Sequence, residues 1–213
     1  MRSSPLIICK KACIAALGAF CMMAASAQGT LSSPDESVKN AVETVVKAAQ
    51  ADPAAKDGNV DAMSKVVRRE FLPYTDFERT TRLAVGAAWN GMTDGQRQRL
   101  VQLFTQLLVH VYALQLTQLH DQNIRFSFDP ASIDTQGNDA LVRSGVKGLD
   151  SGDDMQIRYR LTKAPDGWRI YDLDIGGLWL IQLYRKQLGD QIAKGGPDGL
   201  IKYLADHNAR FGK

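Results

Sequence analysis

Between Thr93 and His120 apolar residues return every three or four positions, at Leu100, Phe104, Leu107, Leu108, Val111, Tyr112, Leu116 and Leu119. The period is helical, and the apolar face is wider than one neighbour needs, so a long helix covered on two sides is predicted. After "HDQN" (120–123) the period falls to two. Ile124, Phe126 and Phe128 alternate with Arg125 and Ser127; Met155, Ile157, Tyr159 and Leu161 alternate with Gln156, Arg158 and Arg160. Strands with one buried and one wet face read this way. "LDSGDD" (149–154) and "APDG" (164–167) have the length and composition of hairpin turns. At least four antiparallel strands are therefore predicted between residues 124 and 176, then two helices, 178–192 and 197–209, separated by "GGP".

The first half reads as helical. Ser33-Pro-Asp-Glu36, Thr75-Asp-Phe-Glu78 and Thr93-Asp-Gly-Gln96 each have the capping-box pattern, in which a Ser or Thr side chain bonds an amide three residues on and a Glu or Gln reaches back. The first helix should run to about Ala49, "ADPAAKDGN" (51–59) should be a loop, and a second helix from Val60 should stop at Pro73. Helices, then an antiparallel meander, then helices imply an α+β fold: a curved antiparallel sheet with helices packed on one face.

The first 27 residues carry a different message. Arg2, Lys10 and Lys11 precede an almost wholly apolar run from Ala12 to Ala25, and Ala25-Ser26-Ala27 supplies a small-x-small cleavage site. That is the layout of a secretory signal peptide, and the run is shorter than the ~20 residues of a membrane span. We expect export and cleavage before Gln28, leaving residues 28–213 as one domain; a retained anchor is the alternative. Phe20 precedes Cys21 where a lipobox wants Gly or Ala, which argues against a lipoprotein. Cys9, Cys13 and Cys21 all lie in this segment, so the exported chain would have no disulfide, metal thiolate or thiol nucleophile. Three of the 26 basic residues and none of the 23 acidic ones also lie there, which leaves the rest balanced. A bulk electrostatic case for nucleic acid disappears with that balance.

Candidate chemistry is sparse. The histidines, His110, His120 and His207, stand at no metal-ligand spacing, and the chain has no H-E-x-x-H, G-x-S-x-G, P-loop or dinucleotide glycine motif. Asp172 and Asp174 are two apart on a predicted strand, hence on one face, with Trp168 and Ile170 before them. Such a pair can serve as general base in an α+β hydrolase or isomerase, with a tyrosine such as Tyr159 as acid. The alternative places the aspartates on the outer wall, matched across strands by Arg158 and Arg160. Tyr171, Leu173 and Ile175 would then face inward with Ile157 and Tyr159. Periodicity alone does not separate the filled core of a purely protein-binding envelope module from an apolar cavity.

Four stretches carry a resemblance: "LPYTDFERTTRLAVGAAW" (72–89), "TDGQRQRLVQLFTQLLVHVYA" (93–113), "GWRIYDLDIGGLWLIQLYRKQL" (167–188) and "GPDGLIKYLADHNAR" (196–210). In this order they closely resemble the MlaC family, the phospholipid-binding proteins of the Mla lipid-transport pathway, also called the toluene-tolerance auxiliary family. The resemblance spans residues 35–210. It implies a soluble, monomeric periplasmic shuttle that holds phospholipid acyl chains in an apolar cavity between sheet and helices and helps maintain outer-membrane lipid asymmetry. It implies no catalysis and no cofactor beyond the phospholipid cargo. The implied partners are an inner-membrane MCE-domain ABC transporter complex and an outer-membrane lipoprotein–porin complex.

Lining residues do not transfer by motif, so facing selects them: Phe71, Val85, Leu108, Val111, Tyr112, Ile157, Tyr159, Leu173, Ile175 and Leu178. Arg185 is expected at the rim or in a structural pair with a strand aspartate. One junction departs from the family's pattern: Gly176 and Gly177 precede Leu178-Trp179-Leu180, where relatives carry a polar residue and a Gly, then a small residue between apolar ones. Trp179 would either narrow the cavity or lie outside it.

Overall fold

The computed structural model of the protein describes residues 32–118, 124–149 and 154–211. The expected signal segment, Leu119, His120 and most of the 149–154 turn lie outside them.

The helical half begins where local chemistry predicts. Ser33 and Glu36 form the capping box of α1, Pro34–Ala51, with Pro34 at the first position where its missing N–H is not needed. The stretch read as a loop holds a short helix, α2 (Pro53–Lys56), because the Asp52 carboxylate accepts from the Ala55 N–H. Asn59 caps α3, Val60–Val66, in the same way. The chain then widens into a π-turn, Val67–Phe71, and tightens into a 3-10 turn, Leu72–Tyr74, at Pro73. The cap predicted at Thr75 moves one residue on. Asp76 caps α4, Phe77–Val85, while the Thr75 hydroxyl donates to the Leu72 carbonyl and its backbone bridges to Ile170. A 3-10 turn, Gly86–Gly91, leads to the predicted Thr93–Gln96 box and to α5, Asp94–Thr117.

Among the described residues six strands follow: β1 (Arg125–Phe128), β2 (Ser132–Ile133), β3 (Asp139–Lys147), β4 (Met155–Ala164), β5 (Gly167–Ile175) and β6 (Leu178–Trp179). All pairs are antiparallel in the order β1-β3-β4-β5-β6, and β2 extends the β1 edge of β3. Pro130 lies between β1 and β2, as suits an edge where no N–H is required. Leu178 and Trp179 form a strand and not the first helical turn. Gly176 (φ 65°) and Gly177 (φ 90°) make the two-residue turn into it, since such a hairpin needs φ > 0 at both positions. The last helix, α6 (Leu180–Asn208), breaks at Gly196 (φ 62°) before Pro197, which yields the two segments predicted around "GGP".

One irregularity redirects the sheet. The β4–β5 register runs Tyr159↔Leu173 and Arg160↔Asp172, then skips to Leu161↔Ile170, leaving Tyr171 bulged. Past a bulge, alternation restarts on the opposite face. Trp168 and Ile170 therefore join Tyr159, Leu161 and Leu173 in the core, against the expectation that they share a face with the aspartates. Tyr171 leaves the inner face for the same reason. Its ring lies under the Arg79 guanidinium at 3.9 Å, and Arg79 grips Asp139 through two hydrogen bonds, 2.8 and 2.7 Å. The Thr80 hydroxyl donates to the bulge carbonyl of Tyr171 (2.7 Å), which fastens α4 to β5.

The core has three parts. Leu100, Phe104, Leu107 and Leu108 of α5 pack with Val85 and with Leu188, Leu200 and Leu204 of α6. Val38 and Ala41 of α1 pack on Val142, Tyr159, Leu161 and Ile170 of the sheet. Val45, Met63, Val66 and Ala113 join α1, α3 and the far end of α5. Hence α5 is covered on two sides. Its length and composition would suit a membrane span, but half of its most apolar window is buried inside this fold.

Candidate functional site

Between α1, the π-turn, the last turns of α5 and the inner face of the sheet lies a cavity of about 360 Å³. Its helical wall is Val42, Val45 and Val46 of α1, Val67 and Phe71 of the π-turn, and Tyr112 and Leu116 of α5; Gln115 and Gln118 complete it. The sheet supplies Phe126, Val146, Met155, Ile157, Tyr159, Leu173 and Ile175. Phe71 and Tyr112 meet edge to face, ring centroids 5.8 Å apart. A π-turn is rare in proteins and concentrates at functional sites; this one carries two of the lining residues.

None of these lining side chains is charged. The Tyr159 hydroxyl is satisfied by the Ser144 hydroxyl at 3.1 Å, and burial pushes Tyr159 up to about 12. Burial raises Tyr112 further still. Both phenols stay neutral near neutral pH, so the wall formed by the described residues is uncharged and suits an apolar ligand. A second chamber of about 80 Å³ adjoins it between α1, α2 and α5, and the two share Val45, Val46, Leu116 and Phe126.

Six of the ten residues selected by facing line the larger cavity: Phe71, Tyr112, Ile157, Tyr159, Leu173 and Ile175. Four do not. Val85 and Leu108 are buried in the helical core, and Val111 packs against it, because that stretch of α5 faces α4 and α6 and the cavity begins only at Tyr112. Leu178 is 49% exposed on the edge strand. The α1 valines were missed. With Val38 and Ala41 they form an evident apolar stripe, but a stripe does not say which residue meets unfilled space.

The opposite face of β5 holds the two aspartates. Arg158 pairs with Asp174, and Arg160 with Asp172 at 3.1 Å, in the predicted cross-strand register. Yet neither aspartate forms a wet outer wall: their side chains are 1% and 0% exposed. The cover is Trp179. Its ring lies against both guanidiniums, 3.7 Å from that of Arg160 and 5.2 Å from that of Arg158. Asp174 also accepts from the Gly177 N–H (2.8 Å), and Asp172 from the N–H groups of Leu173 and Ile181. Trp179 therefore lies outside the cavity. Burial outweighs these donors at Asp172 and holds its carboxyl above the usual carboxylate range. Both aspartates are engaged and turned from the cavity, so neither is placed to act with Tyr159 on a ligand held there.

Arg185 takes the structural option with a different partner. It donates to the Leu83 carbonyl through Nη2 (2.9 Å) and Nε (3.3 Å), near the C-terminus of α4. His110 stacks on Phe211, ring centroids 3.8 Å apart, and burial lowers its pKa. Among the described residues no three His, Cys, Asp or Glu side chains gather to hold a metal.

The model of the MlaC protein family matches residues 39–206. The chain belongs to the MlaC family. One relative of this MlaC-family chain is the toluene tolerance protein ttg2D of Pseudomonas putida, 23% identical over 192 residues that cover 90% of this chain and 86% of that one. A phospholipid-binding protein from Ralstonia solanacearum, solved in complex with a phospholipid, shares the fold at a TM-score of 0.77. It is 34% identical, and the match covers 85% of this MlaC-family chain and 100% of the other.

Proposed function

We propose that this protein is a soluble periplasmic carrier that holds phospholipid acyl chains between sheet and helices. It would act as a monomer without catalysis or cofactor, passing lipid between an inner-membrane MCE-domain ABC transporter complex and an outer-membrane lipoprotein–porin complex to maintain outer-membrane asymmetry. The observation that carries the reading is the uncharged cavity of about 360 Å³, within the ~300–1,000 Å³ of ligand pockets. The family membership and the phospholipid complex of the Ralstonia solanacearum relative support it.

The energetics suit a carrier. Burying about sixteen methylenes gains roughly 13 kcal/mol over water at ~0.8 per CH₂, while the gain over a bilayer is near zero. Taking lipid from a membrane is then nearly balanced, and loss into water is very slow. Direction is set by the affinities and energy source of the partners, because the carrier moves an equilibrium only by differential binding.

Native mass spectrometry of gently purified protein tests the reading. A discrete added mass in the phospholipid range, restored to emptied protein by vesicles, is expected. Protein that is repeatedly ligand-free and takes no lipid from vesicles refutes it.

A further inference from the structure

A phospholipid carries a phosphodiester as well as acyl chains, and the larger cavity, whose polar lining side chains are the neutral Tyr112, Gln115, Gln118 and Tyr159, offers that charge no cation. Among the described residues that line the two chambers, only one side chain is charged: Lys56, in the smaller chamber. It ends the short helix α2 and is exposed, and its ammonium has no ion pair or hydrogen bond among the described residues. The nearby carboxylate of Asp52 is already engaged with the Ala55 N–H. Gln50 of α1, also exposed, lines the same chamber and brings an amide donor. The walls shared with the larger cavity, Val45, Val46, Leu116 and Phe126, are wholly apolar. The polarity is thus graded: an exposed cation and amide in the small chamber, shared apolar walls, then an uncharged cavity.

An anionic amphiphile matches that order. We propose that the small chamber is the head-group subsite, in which the Lys56 ammonium and the Gln50 amide receive the lipid phosphodiester while the acyl chains pass Val45, Val46 and Phe126 into the larger cavity. This rests on the phospholipid reading above and adds a preference to it: an anionic phospholipid binds better than an uncharged lipid with the same chains. Lysine serves phosphate as a point charge, so the subsite demands charge and not one head-group shape. A range of anionic phospholipids would therefore fit.

The test titrates the ligand-free chain with short-chain phosphatidylglycerol and with diacylglycerol of the same acyl length, both below their aggregation limits. Lys56→Gln is expected to weaken phosphatidylglycerol about fivefold, the scale of a partly exposed charge-assisted contact, and to leave diacylglycerol unchanged. Lys56→Arg should restore most of the loss. Lys65→Gln, which removes an equal exposed charge from α3 outside both chambers, should change neither. Unaltered phosphatidylglycerol binding by Lys56→Gln overturns the subsite, as does an equal loss for both lipids or an equal effect of Lys65→Gln. Wild-type protein that binds neither lipid removes the phospholipid reading and the subsite together, whereas equal binding of both removes the subsite alone.

Discussion

Asp172 is where the largest single-residue effect outside the apolar core is expected. Helix α6 starts at Leu180 behind Trp179, whose side chain caps nothing. The missing cap comes from another element: Asp172 Oδ1 on β5 accepts from the Ile181 N–H at 3.0 Å. Replacing Asp172 with Ala strands that buried amide, which costs ~1–3 kcal/mol, and also releases Arg160. Arg160 is 43% exposed and regains water, so the ~3–5 kcal/mol of a fully buried broken pair is not reached. A total of about 2–4 kcal/mol follows, or a fall in Tm of about 5–12 °C for a domain of this size. Asp172→Asn separates the causes. It keeps an acceptor for Ile181 and gives up a charge that burial already disfavours, so it should lose under about 1 kcal/mol. Thermal and urea unfolding of the two variants measure this. A Tm for Asp172→Ala within about 2 °C of wild type, or equal losses for the two variants, refutes the external-cap argument.

Other outcomes follow from the same geometry. Ile157→Asp places a charge in the cavity wall and should cut phospholipid occupancy at least about tenfold by native mass spectrometry, while Asp174→Asn leaves occupancy intact; the reverse pattern would mean that the sheet presents its other face to the ligand. Leu108→Ala should lose about 2–5 kcal/mol in urea unfolding with occupancy of the folded protein unchanged, since Leu108 fills the helical core. Asp139 is held below the usual carboxylate range, chiefly by its hydrogen bond to Arg79. Its contribution is present above the unfolded Asp value and lost as pH falls through the depressed one. Both side chains are partly exposed, so the loss is at most about 1 kcal/mol, and Asp139→Asn should remove that acid-dependent part of the stability curve.

What could be read along the chain was what depends on neighbours within four residues. The boxes at Ser33 and Thr93 close between residues three apart, and both are present. Alternation in β1 and β4, the α5 stripe and the glycine–proline break in α6 are likewise local, and the element order follows from them. Even the Arg158–Asp174 and Arg160–Asp172 pairs were legible, because a short hairpin fixes the register beside it.

Tertiary structure decided everything that turns on how two surfaces meet. The β5 bulge is invisible in "WRIYDLDI", yet it moves Ile170 into the core and Tyr171 out to Arg79. Burial of the aspartates depended on Trp179 folding back over the arginines after two glycines at positive φ. The cavity is the clearest case. Leu108 and Tyr112 lie one turn apart on α5 and read alike as apolar, but one fills a helical core while the other borders empty space. Hydrophobic pattern reports that a side chain avoids water; it carries no information on whether protein or a void takes the water's place, because that depends on the summed volumes of residues distant in sequence.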